Sequence, residues 1–313
     1  MTQHSLRASP DNVRIGVFNA IFPPVMTIES GDTVEVQCVS GRGPVMPPPG
    51  SPFTVPAELT AILQANPGMT AGHIVTGPIA IAGAMPGDTL EIRVDQIVPG
   101  ANWGYNLIRP LAGTLPEDFH ETTLMHIPVD VERLVCTLPW GTELPMAPFF
   151  GVMGVAPPPE FGTIASKEPR IHGGNLDNKE LTAGSTLFLP VHVPGANFSV
   201  GDGHGVQGDG EVCVTALEMC LTGTLTFVLH KGTGQKMPRA ETPTHYISMG
   251  MNEDLDQAMK QALREMISFI CAKSNLSAEQ AYAFCSLAVD FHVTQTVNGE
   301  KGVHGLLKKG LLF

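Results

Sequence analysis

The densest run of chemistry-bearing side chains in the 313-residue chain is Gly201-Asp202-Gly203-His204-Gly205-Val206-Gln207-Gly208-Asp209-Gly210-Glu211. Three carboxylates and one imidazole fall within it, separated almost entirely by glycine. Asp202 and His204 stand two apart, so an extended backbone projects both from one face. Glycine between them lets another backbone or a substrate come close. Imidazole nitrogen mixed with carboxylate oxygen is a donor set for a divalent cation such as zinc. The bland alternative is an acidic surface loop whose carboxylates only close turns. A second cluster, Arg170-Ile171-His172-Gly173-Gly174-Asn175-Leu176-Asp177, again joins one imidazole to one carboxylate, here through a double glycine. The two clusters flank a strand expected over 186–193 and are expected to converge at adjacent strand ends. A hydrolytic zinc site keeps three protein ligands and an open position for water, whose pKa falls to about 7.

Other motifs are weaker. Gly203, Gly205 and Gly208 fit a dinucleotide-binding G-x-G-x-x-G, but they lead into 211–217, which alternates like a strand where that motif needs a helix. There is no P-loop, no H-E-x-x-H and no G-x-S-x-G; Ser199 lacks the first glycine of the last. Cys136 has no base beside it in sequence.

The elements that must position these residues are mostly strands. Ser30-Gly31-Asp32-Thr33-Val34-Glu35-Val36 is echoed by Pro86-Gly87-Asp88-Thr89-Leu90-Glu91-Ile92 and, more loosely, by Ala183-Gly184-Ser185-Thr186-Leu187-Phe188-Leu189. Each reads as a turn that opens a strand. Further strands are expected over 211–217 and 225–230. The stretch 99–159 holds Trp103, Tyr105 and Trp140 among many prolines and reads as irregular, either walling a pocket or covering a sheet edge. From Asp254 the pattern turns helical: Leu255, Met259, Ala262, Met266 and Phe269 make one amphipathic face. Ser277 and Gln280 start a shorter helix with Ala281, Phe284, Cys285 and Ala288 inward, and 289–297 returns to β. The fold expected is mainly β, sandwich- or barrel-like, with a C-terminal α+β layer containing two helices. Four parts divide it: 1–98, β-rich; 99–160, an irregular pocket wall; 161–250, the central β region with the clusters; and 251–313, α+β. All four are expected to form one unit.

Composition agrees. Glycine (34) and proline (27) are too abundant for a helical bundle, and 43% hydrophobic residues are too many for a disordered chain. Thirty acids against 18 bases give a net charge of −12, a sign that repels nucleic acid. The first fifteen residues lack the apolar run of a signal peptide, and the uncharged stretch between Glu143 and Glu160 is broken by five prolines, so no membrane segment is expected. Six cysteines without C-x-x-C spacing read as reduced core residues of a cytoplasmic protein.

Several motifs occur together in order: His172-Gly173-Gly174-Asn175-Leu176-Asp177, Leu189-Pro190-Val191-His192-Val193-Pro194-Gly195, Gly201-Asp202-Gly203-His204 and Gly208-Asp209-Gly210-Glu211. Gly72-His73-Ile74-Val75-Thr76-Gly77-Pro78 precedes them; Ser286-Leu287-Ala288-Val289-Asp290, Thr294-Gln295 and Gly302-Val303-His304 follow. With these motifs the chain resembles the acetamidase/formamidase family over most of its length. It departs from the family's pattern at Gly205-Val206-Gln207, just after His204. The resemblance implies a metal-associated hydrolase of small aliphatic amides, releasing ammonia and a carboxylate. It also implies a predominantly β fold, usually assembled as a homo-oligomer.

On that basis His172, Asp177, Asp202 and His204 are the expected metal ligands, not all of them necessarily in direct contact, with zinc or another divalent cation as cofactor. Glu211 is the expected general base and later acid toward ammonia, or itself a ligand. His73 is a ligand, an oxyanion donor or a hydrogen-bonded core histidine. Asn175 either hydrogen-bonds the substrate or caps the double-glycine turn. Two other readings stay open: a lactam or other cyclic-amide hydrolase, and a non-catalytic β protein binding calcium through the same oxygen-rich loop. A calcium ion at a second site is compatible with the first reading too.

Overall fold

The glycine turns put the chain into strands where their letters say they should. In the computed structural model, which describes residues 1–69 and 71–312, the three echoed phrases enter the strands Thr33–Cys38, Thr89–Pro99 and Thr186–Pro190. Gly31, Gly87 and Gly184 hold φ of 98°, 92° and 90°, a region only glycine occupies freely. Two of the turns are closed by the aspartate that follows. Asp32 accepts from the Glu29 backbone N–H at 3.1 Å, and Asp88 from that of Met85 at 2.8 Å.

All three strands belong to one nine-stranded sheet. Its order is Gln3–Leu6, Thr33–Cys38, Leu221–His230, Thr89–Pro99, Thr186–Pro190, Arg239–Glu241, His245–Asn252, Lys301–Lys308 and Val289–Gln295. Every pairing is antiparallel except the first. A six-stranded sheet lies against it: Gly173–Asn175, Phe149–Gly154, Phe198–His204, Ile74–Ile81 and Val13–Ile15 in that order, with Met26–Ile28 beside Ile74–Ile81. Ile79, Phe150, Phe198 and Val200 of the smaller sheet share one apolar core with Val36, Ile92, Leu225 and Phe227 of the larger. Gly223 in the larger sheet makes room for the Phe150 ring; a Cβ there would stand 2.5 Å from it. Burying such a ring is worth roughly 1.5–3 kcal/mol, so sheet-to-sheet packing is the main source of cohesion.

The two C-terminal helices form the expected layer. Helix Leu255–Lys273 starts at Asp254, whose carboxylate accepts from the N–H groups of Asp256 and Gln257. Helix Ala278–Ala288 starts with the complete Ser277/Gln280 capping box. The first helix buries Ala258 and Ala262 against Gly250, where a Cβ would overlap the Ala258 carbonyl. A third, short helix is Ala57–Ala65. The fold is therefore mainly β with a helical C-terminal part. Among the described residues no helix is long and apolar enough to cross a membrane, and the six cysteines are free thiols.

Two local expectations fail. The stretch 99–159 is largely ordered: Trp103–Ile108, Thr123–Asp130, Val135–Thr137 and Glu143–Pro145 form a four-stranded sheet, and Phe149–Gly154 joins the six-stranded one. Pro128 sits inside this sheet without breaking it. The neighbouring Val129 N–H points to Asn102, so the proline ring nitrogen faces the other side, where pairing has not yet begun. Conversely, 211–217 alternates like a strand but turns. Glu211 and Val214 take φ of 42° and 78°. Two of the segment's carbonyls are met by a side chain: Asn106 Nδ2 donates to those of Thr215 and Ala216 at 2.9 and 3.1 Å.

Candidate functional site

The strand Phe149–Gly154 runs between Gly173–Asn175 and Phe198–His204, and this brings the two sequence clusters together. Val152 stands opposite both Asn175 and Gly201, so both clusters end beside the same short stretch. The strand between them is not the one expected over 186–193, which lies in the other sheet. Gly151 is the floor of the junction: a Cβ there would overlap Asp177 Oδ1 and come within 2.7 Å of Asp202 Oδ2 and 3.0 Å of His204 Cε1.

Around that floor four carboxylates gather on one imidazole. His204 Nε2 is 3.3 Å from Asp202 Oδ2 and 3.2 Å from Glu218 Oε1, and Nδ1 is 3.8 Å from Asp177 Oδ1. Ligand atoms of Asp177, His204 and Glu211 lie within 4.8 Å of one another, as do those of Asp202, His204 and Glu218. All five side chains are buried. The backbone is bent to aim them: Asp177, Asp202 and Glu211 hold φ of 45°, 57° and 42°. Such conformations cost roughly 1–3 kcal/mol each and persist only where surroundings enforce them.

Charge in this space is held in an unusual balance. Burial pushes Glu211 well above the usual carboxylate range, and the Asp177 charge pushes it further. Burial likewise raises Asp177 and Glu218, against the pull of His204. For His204 burial works downward, but the adjacent Glu218 and Asp202 carboxylates override it and hold the imidazole well above its ordinary value. Asp202 is lowered despite burial by His73 and His204. Asp177 Oδ1, His204 Nε2 and Glu211 Oε2 have no hydrogen-bond partner. Crowded carboxylates with open lone pairs need added positive charge, and one imidazole with oxygen donors suits a divalent cation.

Surrounding groups fix the orientation. Gln207 Nε2 donates to the Asp177 carbonyl at 2.8 Å, which leaves Oε1 facing His204 Nδ1 at 2.9 Å. Only the amide nitrogen can donate to a carbonyl, so Oε1 takes the Nδ1 proton and Nε2 is turned toward the carboxylates. Asn298 donates to Asp177 Oδ2. His73 pairs Nδ1 with Ser166 Oγ at 2.9 Å and turns Nε2 toward Asp202 Oδ2 at 3.6 Å. A cavity of about 340 Å³ opens over the cluster, lined by His73, Asn175, Asp202, Glu211 and Glu218 among others.

Of the residues singled out in the sequence, Asp177, Asp202, His204 and Glu211 meet, with His73 and Asn175 on the cavity wall. Asn175 Oδ1 is a buried acceptor without a partner. His172 stands apart from both ligand groups. Its ring packs edge-on against Phe18 at 5.1 Å, burial pushes it down to about 3, and neither ring nitrogen has a hydrogen-bond partner. Asp209, in the same glycine-rich run, turns away to Lys179 at 2.9 Å and His292 at 3.1 Å. Glu218 escaped sequence reasoning. Its signal was a lone charge inside the apolar run Ala216-Leu217-Glu218-Met219-Cys220, where an acid is seldom buried without purpose. Tyr105 holds it in place: the two backbones exchange hydrogen bonds at 2.9 Å. Tyr105 itself lines the cavity beside Glu218, while Trp103 packs in an apolar cluster with Leu59 and Ile62. Both ligand groups found among the described residues share His204, and none lies elsewhere among them.

The profile of the Acetamidase/Formamidase family matches residues 17–167 and 162–303. A relative from Schizosaccharomyces pombe is 29% identical across 65% of this chain, and the chain spans 60% of that protein's length. The formamidase of Methylophilus methylotrophus is 27% identical across 88% of this chain and 83% of its own. Among solved structures, the acetamidase from Bacillus halodurans superposes with a TM-score of 0.84 at 30% identity, covering 97% of each chain.

Proposed function

The chain belongs to the acetamidase/formamidase family, and on that premise we propose that it is a metal-dependent hydrolase of small aliphatic amides. The reaction takes one water and one carboxamide to a carboxylate and an ammonium ion. The observation that carries this reading is the buried group of four carboxylates on His204, with unpartnered ligand atoms, at the base of a cavity.

Asp202, His204 Nε2 and Glu218 would hold zinc or another divalent cation, with Asp177 beside them on the Nδ1 side and His172 outside the group. When bound, such a cation supplies Lewis-acid polarisation of the amide carbonyl and acidifies water. The chain's own groups do the rest. Glu211 Oε2 takes a proton from the attacking water and returns it to the departing nitrogen, a role suited to a carboxyl whose burial raises its pKa. Asn175 Oδ1 accepts from the substrate N–H₂, since it is an acceptor and not a donor. Gln207 keeps His204 Nε2 turned inward.

The test combines metal analysis with ammonia release from formamide, acetamide and longer amides. Stoichiometric zinc, with activity lost on chelation and regained on adding zinc, is expected. Full amidase activity in metal-free protein would sink the metal mechanism.

A further inference from the structure

The cavity has two electrically distinct ends. Asp202, Glu211 and Glu218 stand at its base, while Arg42, Arg109 and Lys167 also line it. Arg109 and Lys167 are exposed and Arg42 is half-buried, which places the cations toward the mouth. Arg42 is anchored by donating to the Gly72 carbonyl at 2.8 Å. Among the described residues the ion pairs of Arg and Lys side chains involve other positions, so these three cations have no carboxylate of their own. In a chain with 30 acids and 18 bases, three unpaired cations around one cavity run against the overall charge. Low-dielectric walls focus such a field on what enters.

Size points the same way. The cavity of about 340 Å³ holds roughly ten times the ~30 Å³ share of one water, and formamide has only three heavy atoms. Formamide would leave most of the space, and all of the cations, unused.

We propose that the substrate is a short-chain amide carrying a carboxylate at its other end, the monoamide of a dicarboxylic acid. This rests on the amide-hydrolase reading above and narrows its substrate class. The amide reaches the base, and the carboxylate meets Arg42, whose planar fork matches it bidentately. Arg109 and Lys167 draw the anion in from solvent.

The test is kcat/KM by ammonia release for succinamate against succinamide, which differ in charge but hardly in size. Succinamate is expected to be preferred, and the preference shrinks at high ionic strength. Arg42→Gln should lower the succinamate-to-succinamide ratio by about ten- to a hundredfold, the worth of a charge-assisted hydrogen bond. The exposed Arg109→Gln and Lys167→Gln should lower it less, and they keep the test open if the Arg42 variant does not fold. Equal rates on both substrates, or equal loss on both in all three variants, would overturn the proposal while leaving the amidase reading intact. Metal-loaded protein that releases ammonia from no amide would remove both.

Discussion

Three aspartates in this chain follow a glycine at or beside a strand, and only one of them belongs to a site. Asp32 and Asp88 close turns at the entry to the nine-stranded sheet; Asp202 lies within the six-stranded one. Each turn aspartate has donors of its own. A hydrogen bond from His4, then those from the backbones of Thr2 and Glu29, holds Asp32 down to about 2. Burial pulls Asp88 upward, yet Lys231 and the backbone N–H groups of Gly232 and Met85 keep it below its ordinary value. Asp202 instead shares His204 with Asp177, Glu218 and Glu211, and three of those four carboxylates lack enough donors to stay comfortably charged. A shortage of donors, more than the presence of acids, marks the functional region.

The comparison is broken most sharply at Glu211. Glu211→Gln should cut amide turnover by about 10²–10⁴-fold while metal content, read by elemental analysis, stays at the wild-type level. If metal leaves with the carboxylate, Glu211 is a ligand and the division of labour in the cluster changes. Next comes the hydrogen bond that orients His204. Gln207→Leu should weaken metal affinity about 10–100-fold in a chelator competition, with near-native circular dichroism; unchanged affinity would show that the imidazole is oriented by the carboxylates alone.

The turn aspartates should behave in the opposite way. Asp88→Ala should leave amide turnover at the wild-type level and lower unfolding free energy in urea by about 1 kcal/mol. A large activity loss there would erase the contrast. The smallest effect concerns acid. Asp32 has a folded pKa of about 2 against an ordinary 3.8. Its contribution is therefore complete above pH 3.8 and is lost as pH falls through 2. The stability gap between wild type and Asp32→Asn should be constant near neutrality and close between pH 4 and pH 2. A gap that persists at pH 2 would show that the side-chain contacts, and not the ionised carboxylate, matter.

How much of this was legible in the letters depends on the range of the contacts. Asp177, Asp202, His204 and Glu211 were readable because glycines isolate them in two short runs. Helix starts at Asp254 and Ser277 were readable because capping is local. Glu218 was not, because nothing in the letters shows that its segment pairs on both sides: with His204, where Gly205 N–H donates to the Leu217 carbonyl and Met219 N–H to the Gly203 carbonyl, and with Tyr105, 113 positions away. His172 shared a motif with Asp177 yet faces Phe18, since the double glycine between them turns the chain through φ of 88° and 86°. Prolines in 99–159 suggested disorder of pattern because sequence does not reveal which side of a strand is already paired. The alternation in 211–217 misled for the reverse reason, as Asn106 supplies from another strand two of the bonds a ladder would have supplied.

Gly151 contributes no functional group, yet it occupies the point where Asp177, Asp202 and His204 converge. Alanine, the smallest replacement, puts a carbon where a carboxylate oxygen stands. In a saturation library scored by turnover, this position should therefore be as intolerant as the acids themselves, and a pocket redesign has to build outward from the Arg42 wall, not from this floor.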